Sequence, residues 1–231
     1  MLDRTVLRLG GAAAMLGAAI GFVFNLLHPR PSDYSVGAEI ELVADSGIWL
    51  FDHWMLGWSV VFSFVGLAVI ARSFREEPAA SWGRVAFAAV AAGAALGIAT
   101  IVVDGMAMKE AALNAAGGGE AAQAAAEAVA YVGMGLFTGL IGFTFGLQPV
   151  LFGIAGIVSD QYPRWLGYLA LVAGVLGFVG AATQFLTGLS TFTVVGMFLP
   201  ASLGFTVYIF VMGWQLWQRA DVPAAAAQPL T

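Results

Sequence analysis

The chain has 231 residues, 60% of them hydrophobic and 10% charged, with a formal net charge of −5 and no cysteine. Soluble domains carry about 25% charged residues, so this composition excludes an ordinary soluble globular domain. The missing cysteine excludes disulfides, thiolate catalysis, iron–sulfur clusters and cysteine-ligated metals, and an acidic chain without a basic patch argues against a nucleic-acid partner.

Six apolar stretches follow one another: Leu9–Leu27, Gly47–Ala71, Val85–Val103, Gly135–Val158, Leu166–Thr187 and Val194–Trp217. At about 1.5 Å per residue each is long enough to cross a hydrocarbon layer of roughly 30 Å. They predict an all-α polytopic membrane helix bundle with six transmembrane helices, built as a single domain over residues 1–231. The first stretch is read as a retained span. It is long for a signal-peptide core, and His28-Pro29-Arg30-Pro31 is not a small-x-small cleavage sequence.

The connections carry their own signals. Pro29–Ser46 starts with two prolines and turns acidic, which places part of it on the membrane surface. Trp49 and Trp54 mark one end of the second span. Ser81-Trp82-Gly83-Arg84 and Tyr162-Pro163-Arg164-Trp165 read as interfacial anchors, as do Trp214 and Trp217. Helix-forming sequence continues past Val103 to Leu113. Gly117-Gly118-Gly119 breaks it, and Glu120–Val129 resumes it. The third and fourth spans are therefore expected to extend beyond the hydrocarbon as an antiparallel hairpin around 104–130. Pro149 and Pro200 each predict a kink. Small residues four apart, such as Gly135 and Gly139, Gly142 and Gly146, or Ala173, Gly177 and Ala181, predict seams of close helix approach.

Of the nine basic residues, Arg4, Arg8, Arg72, Arg75, Arg84, Arg164 and Arg219 fall on the side of the termini, and only Arg30 and Lys109 on the other. The positive-inside rule then makes both termini cytoplasmic. The composition, rich in glycine, alanine and acidic residues with Lys109 as the single lysine, points to a bacterial or archaeal cytoplasmic membrane.

The external ends of the spans gather polar residues at matching depth: Asp52, His53, Asp104, Glu127, Tyr131 and Gln184. Asp104 shares a helical face with Thr100, Gly97 and Gly93, and Glu127 shares one with Tyr131, Gly135 and Thr138. Ionisable groups at membrane depth are costly and normally face the bundle interior with partners. Three carboxylates in one dry site would need a proton, or compensation from His53 or Lys109. Two arrangements satisfy the sequence equally. The group surrounds an interior ligand pocket, or it finishes helix ends at the water interface, as Asp52 would near a helix N-terminus.

His28 and His53 lie at comparable depth on consecutive antiparallel spans. Two imidazoles there could ligate haem axially, or zinc with a carboxylate. No HExxH, GxSxG or phosphate-binding glycine loop occurs.

Pro163-Arg164-Trp165-Leu166-Gly167 with Gly174 and Gly177, and Phe198-Leu199-Pro200 through Trp214-Gln215-Leu216-Trp217, give the last third a pattern that resembles uncharacterised small bacterial six-span integral membrane proteins. The resemblance implies no ligand or reaction. The leading expectation is a non-enzymatic membrane module. Its external polar pocket would bind or sense a small or lipidic ligand, or the protein would partner a second copy of itself or another membrane protein. A proton- or ion-coupled small-molecule transporter is the first alternative. The second is a membrane-embedded haem, quinone or lipid-modifying enzyme. The cofactor is left unknown.

Overall fold

The computed structural model describes residues 2–31 and 33–221. Residues 1, 32 and 222–231 of the expected single domain lie outside the described residues. Six helices are long and apolar enough to cross a membrane: Arg4–Leu27, Trp49–Ser73, Ala79–Gly117, Glu120–Ile157, Arg164–Thr187 and Phe192–Asp221. They are called the first to sixth spans below. The described residues contain no strand, and the protein is an all-α, six-span membrane bundle.

Local chemistry sets the helix ends. Asp3 caps the first span by accepting from the Thr5 amide. Gly188, with φ of 85°, ends the fifth span in a conformation that side chains disfavour. The third and fourth spans contain 39 and 38 residues. At about 1.5 Å per residue they are roughly 55–60 Å long, well beyond a 30 Å hydrocarbon layer. Both run on as a hairpin that turns at Gly118 and Gly119.

A short helix, Val36–Asp45, forms within the acidic Pro29–Ser46 connection. Ser35 caps it by accepting from the Ala38 amide. Ile40 and Val43 are buried against Met108 and Ala112 of the third span and Ala126 and Ala130 of the fourth, with Trp49 completing the cluster. This surface helix therefore docks on the hairpin where it leaves the membrane. Lys109 fastens its far end. The ammonium donates to the carbonyls of Val43, Ala44 and Ser46 at 2.7, 3.0 and 2.9 Å, where the helix dipole is negative.

The main core fills the half of the bundle that holds the termini, with Ile70, Phe152, Leu166, Phe205, Tyr208, Met212 and Leu216 buried together. Tyr162, expected as an interfacial anchor, is part of this core. Its hydroxyl lies 2.6 Å from Ser73 Oγ, and the Arg219 guanidinium stacks 3.9 Å above its ring. The fourth and fifth spans approach along glycine. A Cβ at Gly153 would meet the Leu171 amide at 2.6 Å, and one at Gly174 would meet the Val150 amide at 2.6 Å. Gly135 belongs to no such seam, since a Cβ there meets nothing within 4 Å.

Three spans each contain one widened turn with π-type bonding: Ile101–Ala107, Ile141–Leu147 and Phe192–Phe198. Two of them end two residues before a proline, Pro149 and Pro200. A proline in an α-helix clashes with the carbonyl four residues back and leaves it without a donor. Widening the preceding turn relieves both problems, so the kinks expected from these prolines take the form of π turns.

Candidate ligand-binding site

The three widened turns converge on one cavity of about 210 Å³. Ile101 and Asp104 reach it from the first such turn, Thr144 and Phe145 from the second, and Val194 and Phe198 from the third. Its deeper part is apolar, lined by Leu56, Val60, Met134, Phe137, Leu140 and Leu199. Its other end is polar, with His28, Arg30, Glu39, His53 and Asp104 on the wall and Leu42 of the surface helix beside them. That end is the one the distribution of basic residues assigns to the outside.

The polar end is built on the first turn of the second span. Trp49, Asp52 and His53 are spaced three and four apart, so all three point inward, and all are buried. Trp49 was expected as an interfacial marker. It is instead only 3% exposed and donates its indole N–H to the Asp104 carbonyl at 2.9 Å. Its ring packs against both imidazoles, with centroids 4.5 Å from His53 and 5.3 Å from His28. Gly105 lets the third span come this close, because a Cβ there would lie 2.8 Å from His53 Cβ.

Two histidine–carboxylate pairs result. His28 Nδ1 lies 2.6 Å from Asp52 Oδ2, and His53 Nε2 lies 3.2 Å from Asp104 Oδ2. His53 Nδ1 lies 2.9 Å from the Trp49 carbonyl. Both nitrogens of His53 thus face groups that accept hydrogen bonds. The His53–Asp104 pair must hold one proton more than a neutral imidazole and a carboxylate hold together, or a cation must stand in for it. Asp52 Oδ1 is buried without a hydrogen-bond partner among the described residues, and carboxyl groups at such depth are costly unless compensated. Lys109, expected as a compensating charge, caps the surface helix instead.

Of the six residues expected at this site, the structure brings Asp52, His53 and Asp104 together. Glu127 accepts from Gln123 at 3.2 Å on its own helix, and Tyr131 is 64% exposed. The inward face of the fourth span runs through Ala126, Ala130, Gly133 and Phe137. Glu127 and Tyr131 lie one residue farther along, about 100° around the helix. Gln184 is buried and donates to Thr138 Oγ1 at 2.6 Å, tying the fifth span to the fourth away from the imidazoles. His28 joins the site by pairing with Asp52, and Glu39 enters on the surface helix. Ser35 followed by Val36, Ile40 and Val43 at helical spacing is the sequence signal for that helix.

The histidines do not fit axial haem ligation. Metal–nitrogen bonds of about 2 Å on opposite faces of a porphyrin would set the ring centroids about 6 Å apart with iron between them. The two rings meet edge to face, with centroids 5.2 Å apart and planes at 63°.

Burial, and then the neighbouring Asp104 carboxylate, push the Glu39 carboxyl up from 4.5 to about 7. A carboxyl with a raised value in the folded protein contributes stability that is complete below about 4.5 and is lost as pH rises through about 7. Docking of Val36–Asp45 is therefore expected to weaken as pH rises from about 4.5 to about 7 and to level off above that. Hydrogen exchange in that segment, corrected for intrinsic rates, should rise across this window in the wild type and stay flat in Glu39→Gln. An unchanged rise in the variant would remove Glu39 as the cause.

Comparison of the chain with protein-family models, curated proteins and solved structures finds no match in any of the three.

Proposed function

We propose that this membrane protein binds an amphipathic, lipid-like molecule in the cavity beneath the surface helix. The ligand's polar head would lie among His28, His53, Asp104 and Glu39, and its apolar body along Leu56, Phe137 and Phe198. The observation that carries this reading is the grading of one cavity from charged residues at one end to aromatic and aliphatic walls at the other. A wholly apolar lipid would leave the charged end unmatched, and a small polar solute would leave the deeper walls uncovered. The protein would act as a binding or sensing module of a bacterial or archaeal cytoplasmic membrane, with its termini in the cytoplasm.

Gly133 provides the test. It lines the cavity, and a Cβ there would meet only Asp104 Oδ1, at 4.0 Å. A side chain can therefore start from Gly133 without a backbone clash, and Gly133→Leu carries bulk into the cavity. Mass spectrometry of protein extracted in nanodiscs is expected to show a co-purifying lipidic species, at least about tenfold depleted in the variant, equivalent to about 1.4 kcal/mol. Equal retention in Gly133→Leu, with the fold intact by circular dichroism, would overturn the reading.

One observation favours transport as the second reading. A smaller cavity of about 90 Å³ is lined by Ser63, Gly93 and Gln148 and shares Asn25, Ser59 and Thr144 with the first. The shared residues make the two cavities neighbours, with these hydroxyl and amide groups set among mostly apolar walls. Proton uptake by proteoliposomes that is lost in Gly133→Leu is the outcome that would favour this reading over simple binding.

A further inference from the structure

We infer that His28, Asp52 and His53 form a binding site for a divalent transition-metal ion, of which zinc is the type case, at the polar end of the cavity. One ligand atom from each of the three residues lies within 4.8 Å of the others. The three come from the ends of two spans, and Asp52 and His53 are buried. This inference uses the same site as the ligand reading, but its geometry does not depend on a lipid being bound.

Three independent features point to an ion. The first is spacing. Two imidazoles bound to one tetrahedral ion by bonds of about 2.0–2.1 Å have ring centroids about 5 Å apart, and those of His28 and His53 are 5.2 Å apart. Asp52 Oδ2 lies between them, 2.6 Å from His28 Nδ1 and 3.9 Å from His53 Nδ1. The second is the unpartnered Asp52 Oδ1, buried in a residue only 1% exposed. A carboxylate satisfied only by imidazole is incomplete here. An ion held by both oxygens of Asp52 supplies the missing partner of Oδ1 without a lysine or arginine.

The third feature is the set of groups around His53. An imidazole that ligates a metal through one nitrogen usually donates its other N–H to a carboxylate, which fixes its orientation. With the ion at Nδ1, the Nε2–H of His53 donates to Asp104 at 3.2 Å. The neutral ring then needs no extra proton, and the ion takes over from the Trp49 carbonyl, 2.9 Å away, as the partner of Nδ1. Nitrogen and carboxylate donors together suit zinc among the divalent ions and leave no soft sulfur ligand to favour copper(I). Three protein ligands leave a fourth position open, as in sites where the ion meets a bound molecule. His28 and His53 both line the cavity. That position faces the proposed head group and selects a neutral or anionic oxygen donor.

Metal binding is tested on the full chain in nanodiscs, with zinc chloride titrated by calorimetry and cobalt(II) followed by its visible absorption. One saturating zinc per chain is expected, with the cobalt d–d bands of a four- or five-coordinate nitrogen–oxygen site. Stoichiometric binding is expected to be lost in His28→Ala and Asp52→Asn. Asp104→Asn acts one shell out and should weaken binding about 10–100-fold. His28 sits at the rim of the first span, so His28→Ala is the variant that keeps its fold if changes at Asp52 do not. Failure to saturate in the wild type, or the same affinity in a folded His28→Ala protein, would overturn the site. Gly133→Leu separates the two proposals. Zinc binding retained with the lipidic species lost supports the metal site and the ligand cavity together. Zinc binding absent while the lipidic species remains defeats the metal site alone.

Discussion

Gly177→Ala is expected to lower the stability of the folded bundle by about 2–3 kcal/mol, although alanine is intrinsically the better helix former by up to about 1 kcal/mol. A Cβ at Gly177 would overlap the Phe145 carbonyl oxygen and lie 2.6 Å from its carbon. Both are backbone atoms of the fourth span and cannot swing away as a side chain could. The contact belongs to a seam in which Gly146, Gly153 and Gly156 face Phe178, Leu171 and Gly167. A displacement at one point therefore separates the spans along several turns. Within lipid the separated surfaces gain nothing from burial in hydrocarbon, so the lost van der Waals contact is not recovered. Gly135→Ala is the control. It lies in the fourth span with open space around it, and helix propensity alone should make the change neutral or slightly stabilising. Thermal or denaturant unfolding of the two variants in one detergent decides the point. Equal midpoints would show that the seam does not hold the spans together.

Lys109→Met is expected to loosen the surface helix while leaving the six spans intact. Methionine keeps most of the aliphatic stem and removes three donors from the carbonyls of Val43, Ala44 and Ser46. Bonds from charged donors contribute about 1.5–3 kcal/mol each. Water can replace part of this at the partly exposed end of the helix, so a net loss of roughly 2 kcal/mol is expected. Faster hydrogen exchange confined to Val36–Asp45 is the signature. Because Glu39 and Leu42 line the cavity from this helix, the polar end should also become more accessible. Unchanged exchange in Lys109→Met would assign the docking to Ile40 and Val43 alone.

The spans, their order and the long third and fourth helices follow from apolar length and from the Gly117-Gly118-Gly119 break, and these survive in the structure, with most helices running several residues beyond the apolar stretches. The polar end is partly legible for the same reason. Asp52 and His53 are adjacent, and Asp104 lies at matching depth on the next helix. The rest depends on rotation and docking, which depth does not encode. Glu127 and Tyr131 match the others in height but not in azimuth. Glu39 lies on a helix of only ten residues, held by contacts with residues 60 to 90 positions away and by Lys109. Trp49 has the composition of an interfacial anchor. Only the approach of the third span at Gly105 makes it a buried donor.

The π turns change how the cavity wall can be read. Bonding from i to i+5 takes up one residue more than bonding from i to i+4, so each such turn holds a surplus residue within an otherwise regular rod. On an α-helix one residue corresponds to about 100° of rotation. If the surplus moved a turn along the third span, Asp104 would leave His53 and a neighbour would take its place, with both ends of the helix still anchored. The same holds for Thr144 and Phe198 on the fourth and sixth spans. The lining of this cavity is thus a property of register as much as of sequence. On three of its walls, the position of one surplus residue decides which side chains face inward.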